Sequence, residues 1–295
     1  MSKTWLIIDV SYMSYRAFHT MGALSSGDMK TGVIYGFLRS VLELKDLFGT
    51  EHIAFCFDSI DSKRKELYPD YKNKRHTKEM TMEEKVARNA MREQVKQLRL
   101  TYLPTIGFKN IFREEGYESD DIMASIVKHL PEEDDAVIVT ADRDLWQCMT
   151  PRVSFFNPDT QKRATYRSFM EAHNGLPPSD YWKILALAGC ATDEVKGIPS
   201  IGKKSALQFL SGTLKETSKK YAAIVSRDGA DIYRRNRALV KLPFALTPVY
   251  ELQEDTLSRK GWDKVCNDLG MKSIKDRGPF STREQRRQRG NGFGL

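Results

Sequence analysis

The sequence predicts an α/β fold with a mostly parallel central sheet flanked by helices. Three short apolar runs are typical of strands buried on both faces, and each is followed closely by an aspartate. They cover residues 5–8, 53–57 and 136–140. Helical patterns separate these runs, and strands that alternate with helices favour parallel pairing through right-handed crossovers.

The helices of this predicted domain are identified from apolar spacing and from their polar starts. Residues 31–48 and 120–130 carry apolar side chains at helical intervals, and Ser119 is the expected N-cap of the second stretch. Thr81 and Glu84 form an expected capping box for a further helix. We interpret that last helix, up to residue 100, as a charged and solvated one.

Runs of the strand type stop near residue 175, which predicts a second and mainly α-helical domain. Helical patterns return at residues 180–189, 203–210 and 215–225. We therefore expect an α/β domain at 1–175, a helical domain at 176–274, and a flexible basic tail at 275–295.

The composition favours a globular protein with reduced thiols. Lys and Arg number 47 against 39 Asp and Glu, a net charge of +8 that fits either nucleic-acid binding or solubility alone. The four cysteines lack the spacing of a zinc site or a disulfide framework. Without a signal peptide or an apolar run of about 20 residues, we expect a cytoplasmic protein that does not bind membranes.

Seven carboxylates occupy positions that an α/β fold would bring together at the carboxyl ends of its strands. Such convergence raises carboxyl pKa values unless cations neutralise the charge, and oxygen ligands favour Mg²⁺ or Mn²⁺. Any one of these aspartates, taken alone, is more simply explained as a helix cap or a strand end. The seven are Asp9 and Asp58 after the first two strands, Asp142 and Asp144 after the third, and Glu118, Asp120 and Asp121 at a helix start.

Two basic segments are predicted to contact a nucleic-acid backbone. Residues 63–75 interleave aromatic rings with cations, which suits phosphate contact and stacking on unpaired bases. Residues 197–206 lie between two predicted helices, and Gly202 permits close backbone approach at the start of the second. A nucleotide-binding loop would follow a strand, so we predict a helix–hairpin–helix that grips duplex DNA without reading its sequence.

Together these motifs resemble the 5′ nuclease family, which includes the 5′ nuclease domain of bacterial DNA polymerase I, phage 5′–3′ exonucleases and flap endonucleases. The resemblance runs from residue 5 to about 250, and its most specific motifs are Gly-Tyr-Glu-Ser-Asp-Asp at 116–121 and Thr-Ala-Asp-Arg-Asp-Leu at 140–145. It implies a PIN-like sheet, a helical arch at about 62–100 above two metal clusters, and phosphodiester hydrolysis by two metal ions.

The resemblance also implies the residues of the site. The metal ligands would be Asp9, Asp58, Glu118, Asp120, Asp121, Asp142, Asp144 and Asp193. Lys72 and Arg75 would steer and polarise the scissile phosphate. DNA would contact Arg16, Tyr71, Lys72, Arg75, Gly197, Ile198, Gly202, Lys203 and Lys204, and K⁺ would bind at the helix–hairpin–helix.

This chain departs from the family pattern at the second metal cluster. The family has Gly-Asp-x-x-Asp-Asn there, whereas residues 189–194 are Gly-Cys-Ala-Thr-Asp-Glu. Cys190 thus replaces an acidic ligand, and a thiolate is a poor ligand for Mg²⁺. We hypothesise that the second metal binds more weakly or that Glu194 supplies the missing charge.

The expected function is that of an active, monomeric 5′ nuclease that needs Mg²⁺ and accepts Mn²⁺. Flap, nicked and 5′-ended duplex DNA would be its substrates, with RNA–DNA hybrids in addition. With its last residue at Leu295, the chain is expected to lack a polymerase domain. Cys190 supports a different class, a structure-specific DNA-binding protein with weakened catalysis. A toxin-like RNA nuclease is disfavoured, because such domains are shorter and lack the hairpin.

Overall fold

The computed structural model describes residues 2–27, 29–74 and 79–280. The described residues form two compact units, each assembled from separate stretches of the chain. The first contains residues from 2–57, 80–112 and 251–280, and the second those from 58–79 and 113–250. This interleaved division differs from the consecutive one expected from the sequence, so the domain boundary at residue 175 remains a prediction. Arg75 and most of the basic tail lie outside the described residues.

The elements are numbered here in chain order. The strands are β1 (Thr4–Asp9), β2 (Ser25–Ser26), β3 (Met29–Lys30), β4 (His52–Phe57), β5 (Ile111–Arg113), β6 (Asp135–Val139), β7 (Val153–Asn157), β8 (Lys162–Ala164), β9 (Gly189–Cys190) and β10 (Val195–Lys196). The helices are α1 (Val10–Met21), α2 (Gly32–Phe48), α3 (Arg64–Leu67), α4 (Met82–Gln97), α5 (Leu103–Ile106), α6 (Ser119–Lys128), α7 (Tyr166–Ala172), α8 (Tyr181–Ala188), α9 (Lys203–Leu210), α10 (Lys219–Val225), α11 (Arg227–Val240) and α12 (Arg259–Asp268). Short 3₁₀ turns cover Arg143–Cys148, Pro178–Asp180 and Lys272–Ile274, and a π-helical turn covers Leu98–Tyr102.

The core of the first unit contains the parallel strands β1 and β4 and the helices α1 and α2, which lie between these strands in the chain. β1 and β4 pair in register from Trp5 opposite His52 to Asp9 opposite Cys56. The backbone of Gly36 in α2 lies so near α1 that a Cβ there would stand 2.9 Å from the Cβ of Ala17. A glycine at this position therefore allows the two helices to pack closely.

The first turn of α2 is capped by a side chain from α4. Buried Gln94 accepts hydrogen bonds at its Oε1 from the N–H groups of Val33 at 3.0 Å and Ile34 at 3.4 Å. These are two of the N–H groups that a helix start leaves without an intrahelical partner. The helix α4 itself begins with the predicted capping box of Thr81 and Glu84, which is confirmed.

The second unit combines a mixed sheet with a helical part. β6 and β7 are parallel, β7 and β8 are antiparallel, and β9 and β10 form a short antiparallel pair after α8. Asn236 in α11 is fully buried and donates to the carbonyl oxygens of Ala186 and Lys196, both at 2.9 Å. The side-chain amide of Asn236 therefore links α11 to α8 and to β10. It also supplies a hydrogen-bond donor to carbonyl groups that are shielded from water.

Most of the predicted elements are confirmed, and the exceptions have local causes. Ser119 is not the N-cap of α6, since Glu118 holds that position and closes a capping box with Asp121. Helix α10 begins only at Lys219, where Ser218 accepts from a first-turn N–H group. Local sequence patterns did not identify the helices α1, α3, α5, α7, α11 and α12 or the strands β2, β3, β5 and β7 to β10. No described helix has the length and apolar character that a membrane span requires.

Candidate active site

Asp58 and the turn that carries Glu118 are tied together by backbone hydrogen bonds. Asp58 accepts at Oδ1 from the N–H of Ser119 at 2.7 Å. The neighbouring Ser59 accepts at its hydroxyl from the N–H of Gly116 at 3.0 Å, and its own N–H donates to the carbonyl of Tyr117. The segment that follows β4 is thereby fixed against the start of α6.

Asp58 and Glu118 line a cavity of about 140 Å³, referred to below as the Glu118 cavity, together with Tyr71 and Lys72. Asp61 also lines this cavity, and three carboxylates on one small polar cavity provide the oxygen donors that a hard divalent cation prefers. Of the predicted site residues, the structure therefore brings four together here.

Lys72 lies between this cavity and a second group of acids. Its Nζ donates to Oε1 of Glu118 at 2.9 Å and lies 3.5 Å from Oδ1 of Asp193. Its backbone N–H donates to the carbonyl of Asp193 at 3.1 Å, and its φ of +52° is one that non-glycine residues seldom adopt. The ammonium group thus neutralises carboxylates of both acidic groups.

Glu118 is held as a carboxylate by the donors that surround it. Its Oε2 accepts from the hydroxyl of Tyr71 at 2.8 Å and from Arg64 at 3.4 Å, while Lys72 binds the other oxygen. Burial alone would raise the pKa of Glu118, but Lys72 and Arg64 outweigh it and the pKa is lowered. Burial and the charge of Glu118 raise the pKa of Tyr71, which remains a neutral donor.

Asp121 is bound by donors of the protein on both oxygens. Arg64 donates to each of them at 2.7 Å, and the two side chains are 2% and 0% exposed. The N–H groups of Phe244 at 2.9 Å and Glu118 at 3.1 Å complete the acceptor capacity, and Arg64 also donates to the carbonyl of Leu239. The predicted phosphate contact of residues 63–75 is wrong for Arg64, because this cation is buried.

A second acidic group, the Cys190 cluster, consists of Asp144, Cys190 and Asp193. The ligand atoms of these three side chains all lie within 4.8 Å of one another. The Cys190 sulfur is 3.3 Å from Oδ2 of Asp144, 3.7 Å from Oδ2 of Asp193 and 3.0 Å from the hydroxyl of Thr192. Burial and the two carboxylates raise the pKa of the thiol to about 12. Burial, with Asp142 and Asp193, also raises the pKa of Asp144 to about 6.

The remaining predicted acids start helical turns. Asp142 caps the 3₁₀ turn and accepts from the N–H of Asp144 at 2.9 Å. In the first unit, Asp9 caps α1 and accepts from the N–H of Tyr12 at 3.0 Å. Both carboxylates thus have the capping role that applies to an isolated aspartate. Asp120 lies in the first turn of α6.

Glu194 binds a residue at the base of the predicted arch. Its Oε2 accepts from the N–H of Lys74 at 2.5 Å, and its Oε1 lies 3.7 Å from the ammonium of the same residue. The hypothesis that Glu194 supplies charge to Cys190 is therefore not supported, because its carboxylate pairs with Lys74. The φ of Glu194 is +60°, in the left-handed region of the backbone. Asparagine, the residue of the family pattern at this position, adopts this region more often than glutamate does.

The predicted helix–hairpin–helix segment contains a tight turn. A Cβ on Gly197 would stand 2.2 Å from the carbonyl of Ala188, and buried Ile198 donates to the carbonyl of Leu187. Gly202 is the N-cap of α9, with open space where a Cβ would be. The first turn of α9 is therefore open to a phosphate, as a helix start without a side-chain cap allows.

The other residues predicted to contact DNA differ in their surroundings. Lys203 and Lys204 are both exposed at the start of α9, and Lys203 also donates to the hydroxyl of Tyr181 at 3.2 Å. Arg16 in the first unit lies 3.5 Å from the hydroxyl of Ser40, at the limit of a hydrogen bond. Arg75 lies outside the described residues.

Sequence reasoning missed Arg64 and Arg235. Arg64 stands in the run Lys63-Arg64-Lys65, and spacing alone does not show that the middle cation is buried. Arg235 donates to the carbonyl of Lys196 at 2.7 Å and lies over the ring of Tyr68 at 5.1 Å. The four arginines of α11 are the signal that could have identified this basic helix.

Known proteins match most of the chain. The family described as 5′–3′ exonuclease, N-terminal resolvase-like domain, matches residues 4–174. The 5′–3′ exonuclease of Aquifex aeolicus is 28% identical over 287 residues, which cover 92% of this chain and 94% of that protein. DNA polymerase I of Mycobacterium bovis is 29% identical over 301 residues, which cover 93% of this chain and 31% of the polymerase. The chain thus spans about a third of the polymerase relatives.

Solved structures share the fold. The crystal structure of bacteriophage T5 flap endonuclease, in a pseudo-enzyme–product complex with DNA and metal ions, matches with a TM-score of 0.68. The sequences are 22% identical, and the match covers 93% of this chain and 98% of the other. The predicted fold, a mostly parallel sheet flanked by helices, is therefore confirmed.

Proposed function

Since the chain belongs to the 5′–3′ exonuclease family, we propose that it is a structure-specific 5′ nuclease that hydrolyses phosphodiester bonds near DNA 5′ ends. The observation that carries this proposal is the position of Lys72 between Glu118 and Asp193. A cation placed between carboxylates can attract a phosphate to acids that would otherwise repel it.

We propose a divalent cation, Mg²⁺ with Mn²⁺ as substitute, at the Glu118 cavity. Asp58 and Glu118 fit such an ion because they offer oxygen donors in one polar space. Asp120 and Asp142 join them as proposed ligands on the sequence motifs, and Asp9 of the first unit is assigned on its sequence position alone. When bound, such ions activate water and stabilise the leaving oxygen.

The side chains around the cavity have positioning roles in this proposal. Tyr71 donates to one oxygen of Glu118 and Lys72 to the other, so that the carboxylate plane is held in one orientation. Lys72 and Arg75 are the proposed cations that steer the scissile phosphate, Arg75 on its place in the sequence motif.

Asp121 is proposed here as an anchor of the fold rather than a metal ligand. Both of its oxygens accept charge-assisted hydrogen bonds from Arg64, and two backbone N–H groups bind them as well. Coordination of a metal would require this buried pair to separate, which leaves an uncompensated charge in the interior.

The proposed substrate is flap, nicked or 5′-ended duplex DNA, with RNA–DNA hybrids as a further class. The open first turn of α9 and exposed Lys204 would hold the duplex backbone at the helix–hairpin–helix, where K⁺ is the proposed monovalent ion. These contacts involve phosphates, so that binding would depend on DNA structure rather than on base sequence. The proposed state is a monomer.

The test is cleavage of 5′-labelled flap, nicked and blunt duplexes with Mg²⁺ and with chelator. We expect metal-dependent products from the wild type and a loss of roughly 100-fold or more in Asp120→Ala, since several kcal/mol of stabilisation depend on the metal ligands. Glu171→Ala, which changes an exposed acid paired with Arg167, is the matched control and should cleave normally. Absence of metal-dependent cleavage on all three substrates refutes the proposal.

A second function is favoured by Cys190, which places a thiol in an acidic cluster. The chain would then bind branched or nicked DNA with weakened catalysis. Tight binding to the flap substrate with little or no metal-dependent cleavage would select this alternative, and efficient cleavage by the wild type would exclude it.

A further inference from the structure

The Cys190 cluster has a donor set that does not fit Mg²⁺. It offers two carboxylates and one sulfur from two separate segments of the second unit, because Cys190 and Asp193 belong to the same hairpin. Mg²⁺ requires near-octahedral oxygen ligands, whereas sulfur ligands select softer cations. Two carboxylates with one sulfur are instead a donor combination that Zn²⁺ and related ions accept.

The surroundings of Cys190 favour sulfur as a ligand over a purely structural thiol. The sulfur is buried, yet it lies 3.3 Å from Asp144 and 3.7 Å from Asp193 rather than among apolar side chains alone. The hydroxyl of Thr192 is 3.0 Å from the sulfur and can donate to it. A thiolate bound to a metal would keep this hydrogen bond, which would orient the ligand.

We propose that the Cys190 cluster is a site for a thiophilic divalent cation of the Zn²⁺ or Cd²⁺ type, bound through the Cys190 sulfur and the carboxylates of Asp144 and Asp193. The sulfur–metal bond forms as the thiol gives its proton to solvent water, with no change of oxidation state. This proposal rests on the proposed function in one respect, since both assume that a metal binds at the Cys190 cluster.

One consequence is that the two acidic groups of the second unit differ in metal preference. The Glu118 cavity offers oxygen donors for a hard ion, and the Cys190 cluster adds sulfur. Lys72 contacts an acid of each group, so that a cation at the Cys190 cluster would repel its ammonium from Asp193.

The test is titration of the full chain with Cd²⁺, followed by the ultraviolet sulfur-to-cadmium charge-transfer band. We expect the wild type to develop this band at one equivalent. Cys190→Ser should abolish it, and Cys148→Ser, a change at another cysteine of the same unit, should retain it. Every other pattern overturns the proposal, including absence of the band in the wild type or its survival in Cys190→Ser.

A second set of variants keeps the thiol and changes the carboxylates. Asp144→Asn and Asp193→Asn should each weaken Cd²⁺ binding by about 10-fold or more while the band remains at saturation, since even indirect partners contribute about 10- to 100-fold. Unchanged affinity in both variants contradicts the assigned ligand set. Circular dichroism of each variant verifies that it is folded.

This readout does not depend on cleavage. An active nuclease without the Cys190-dependent band rejects only the cation proposal. A chain that shows the band but cleaves no DNA rejects only the nuclease proposal.

Discussion

At the scale of single residues, the site contains carboxylates of two kinds. Glu118 lines a cavity and is bound by Tyr71 and Lys72, while Asp121 is fully buried and bound by Arg64. The two residues are only three apart in one sequence motif. Their different partners indicate that the motif supplies a candidate ligand and an anchor for the fold.

Arg64→Ala should destabilise the protein by about 3–5 kcal/mol, because it leaves the carboxylate of Asp121 buried without its cation. Urea unfolding at neutral pH measures this loss. Arg234→Ala is the control, since Arg234 pairs with Asp231 at the surface and such pairs contribute about 0–1 kcal/mol. Equal effects of the two changes would show that the Arg64 pair is not needed for stability.

Cys190→Asp should lower the Mg²⁺ concentration required for half-maximal cleavage by roughly tenfold, because it adds a charged oxygen ligand beside Asp144 and Asp193. The measurement is a Mg²⁺ titration of flap cleavage. Cys190→Ser adds no charge and should not produce this gain. An unchanged titration in Cys190→Asp would mean that position 190 does not limit metal binding.

At the scale of elements, the segment after α3 is attached to the loop between β9 and β10. Lys72 donates from its backbone to Asp193, and Lys74 donates from its backbone to Glu194. These residues are about 120 positions apart in the chain. The base of the predicted arch is thus held by the loop that carries an acid of the Cys190 cluster.

Glu194→Ala should speed amide hydrogen exchange at Lys74 by about tenfold, because a charge-assisted hydrogen bond contributes about 1.5–3 kcal/mol and solvent replaces part of it. Mass spectrometry of the peptide that contains Lys74 measures the rate. Glu194→Gln keeps an acceptor and should show a smaller effect. If exchange in Glu194→Ala equals that of the wild type, this contact does not hold the segment.

At the scale of the whole molecule, the net charge of +8 is the property that bears on DNA binding. Several cations are already engaged inside the protein, such as Arg64 with Asp121 and Lys72 with Glu118. Exposed cations, of which Lys204 is one, are therefore available for contacts with the duplex backbone away from the Glu118 cavity.

Lys204→Ala should weaken duplex binding and reduce the slope of log affinity against log salt concentration by about 1, the value expected for one phosphate contact. Fluorescence anisotropy at several salt concentrations gives the slope. Lys162→Ala, which changes an exposed cation on β8, serves as the control. A slope that Lys204→Ala leaves unchanged would exclude this lysine from the phosphate contacts.

The sequence by itself determined the first buried strands, several helices and the acids at their ends. The strand before Asp58, the capping box of Thr81 and Glu84, and the start of α9 at Lys203 follow from patterns within a few residues. Such patterns depend on local backbone preferences and on the side-chain period of each element. The same local signals misplaced the cap of α6 by one residue, because the helix already includes Ser119 and its N-cap is Glu118.

Only the tertiary structure decided which charges meet. Arg64 and Asp121 are 57 residues apart, and Lys74 and Glu194 are 120 apart, so no local pattern pairs them. A buried cation is strongly destabilising unless a carboxylate pairs with it. The packing of distant segments determines which carboxylate that is. For this reason the sequence indicated a carboxylate-rich site, while the fold assigned Asp121 to Arg64, Glu194 to Lys74, and Cys190 to two aspartates.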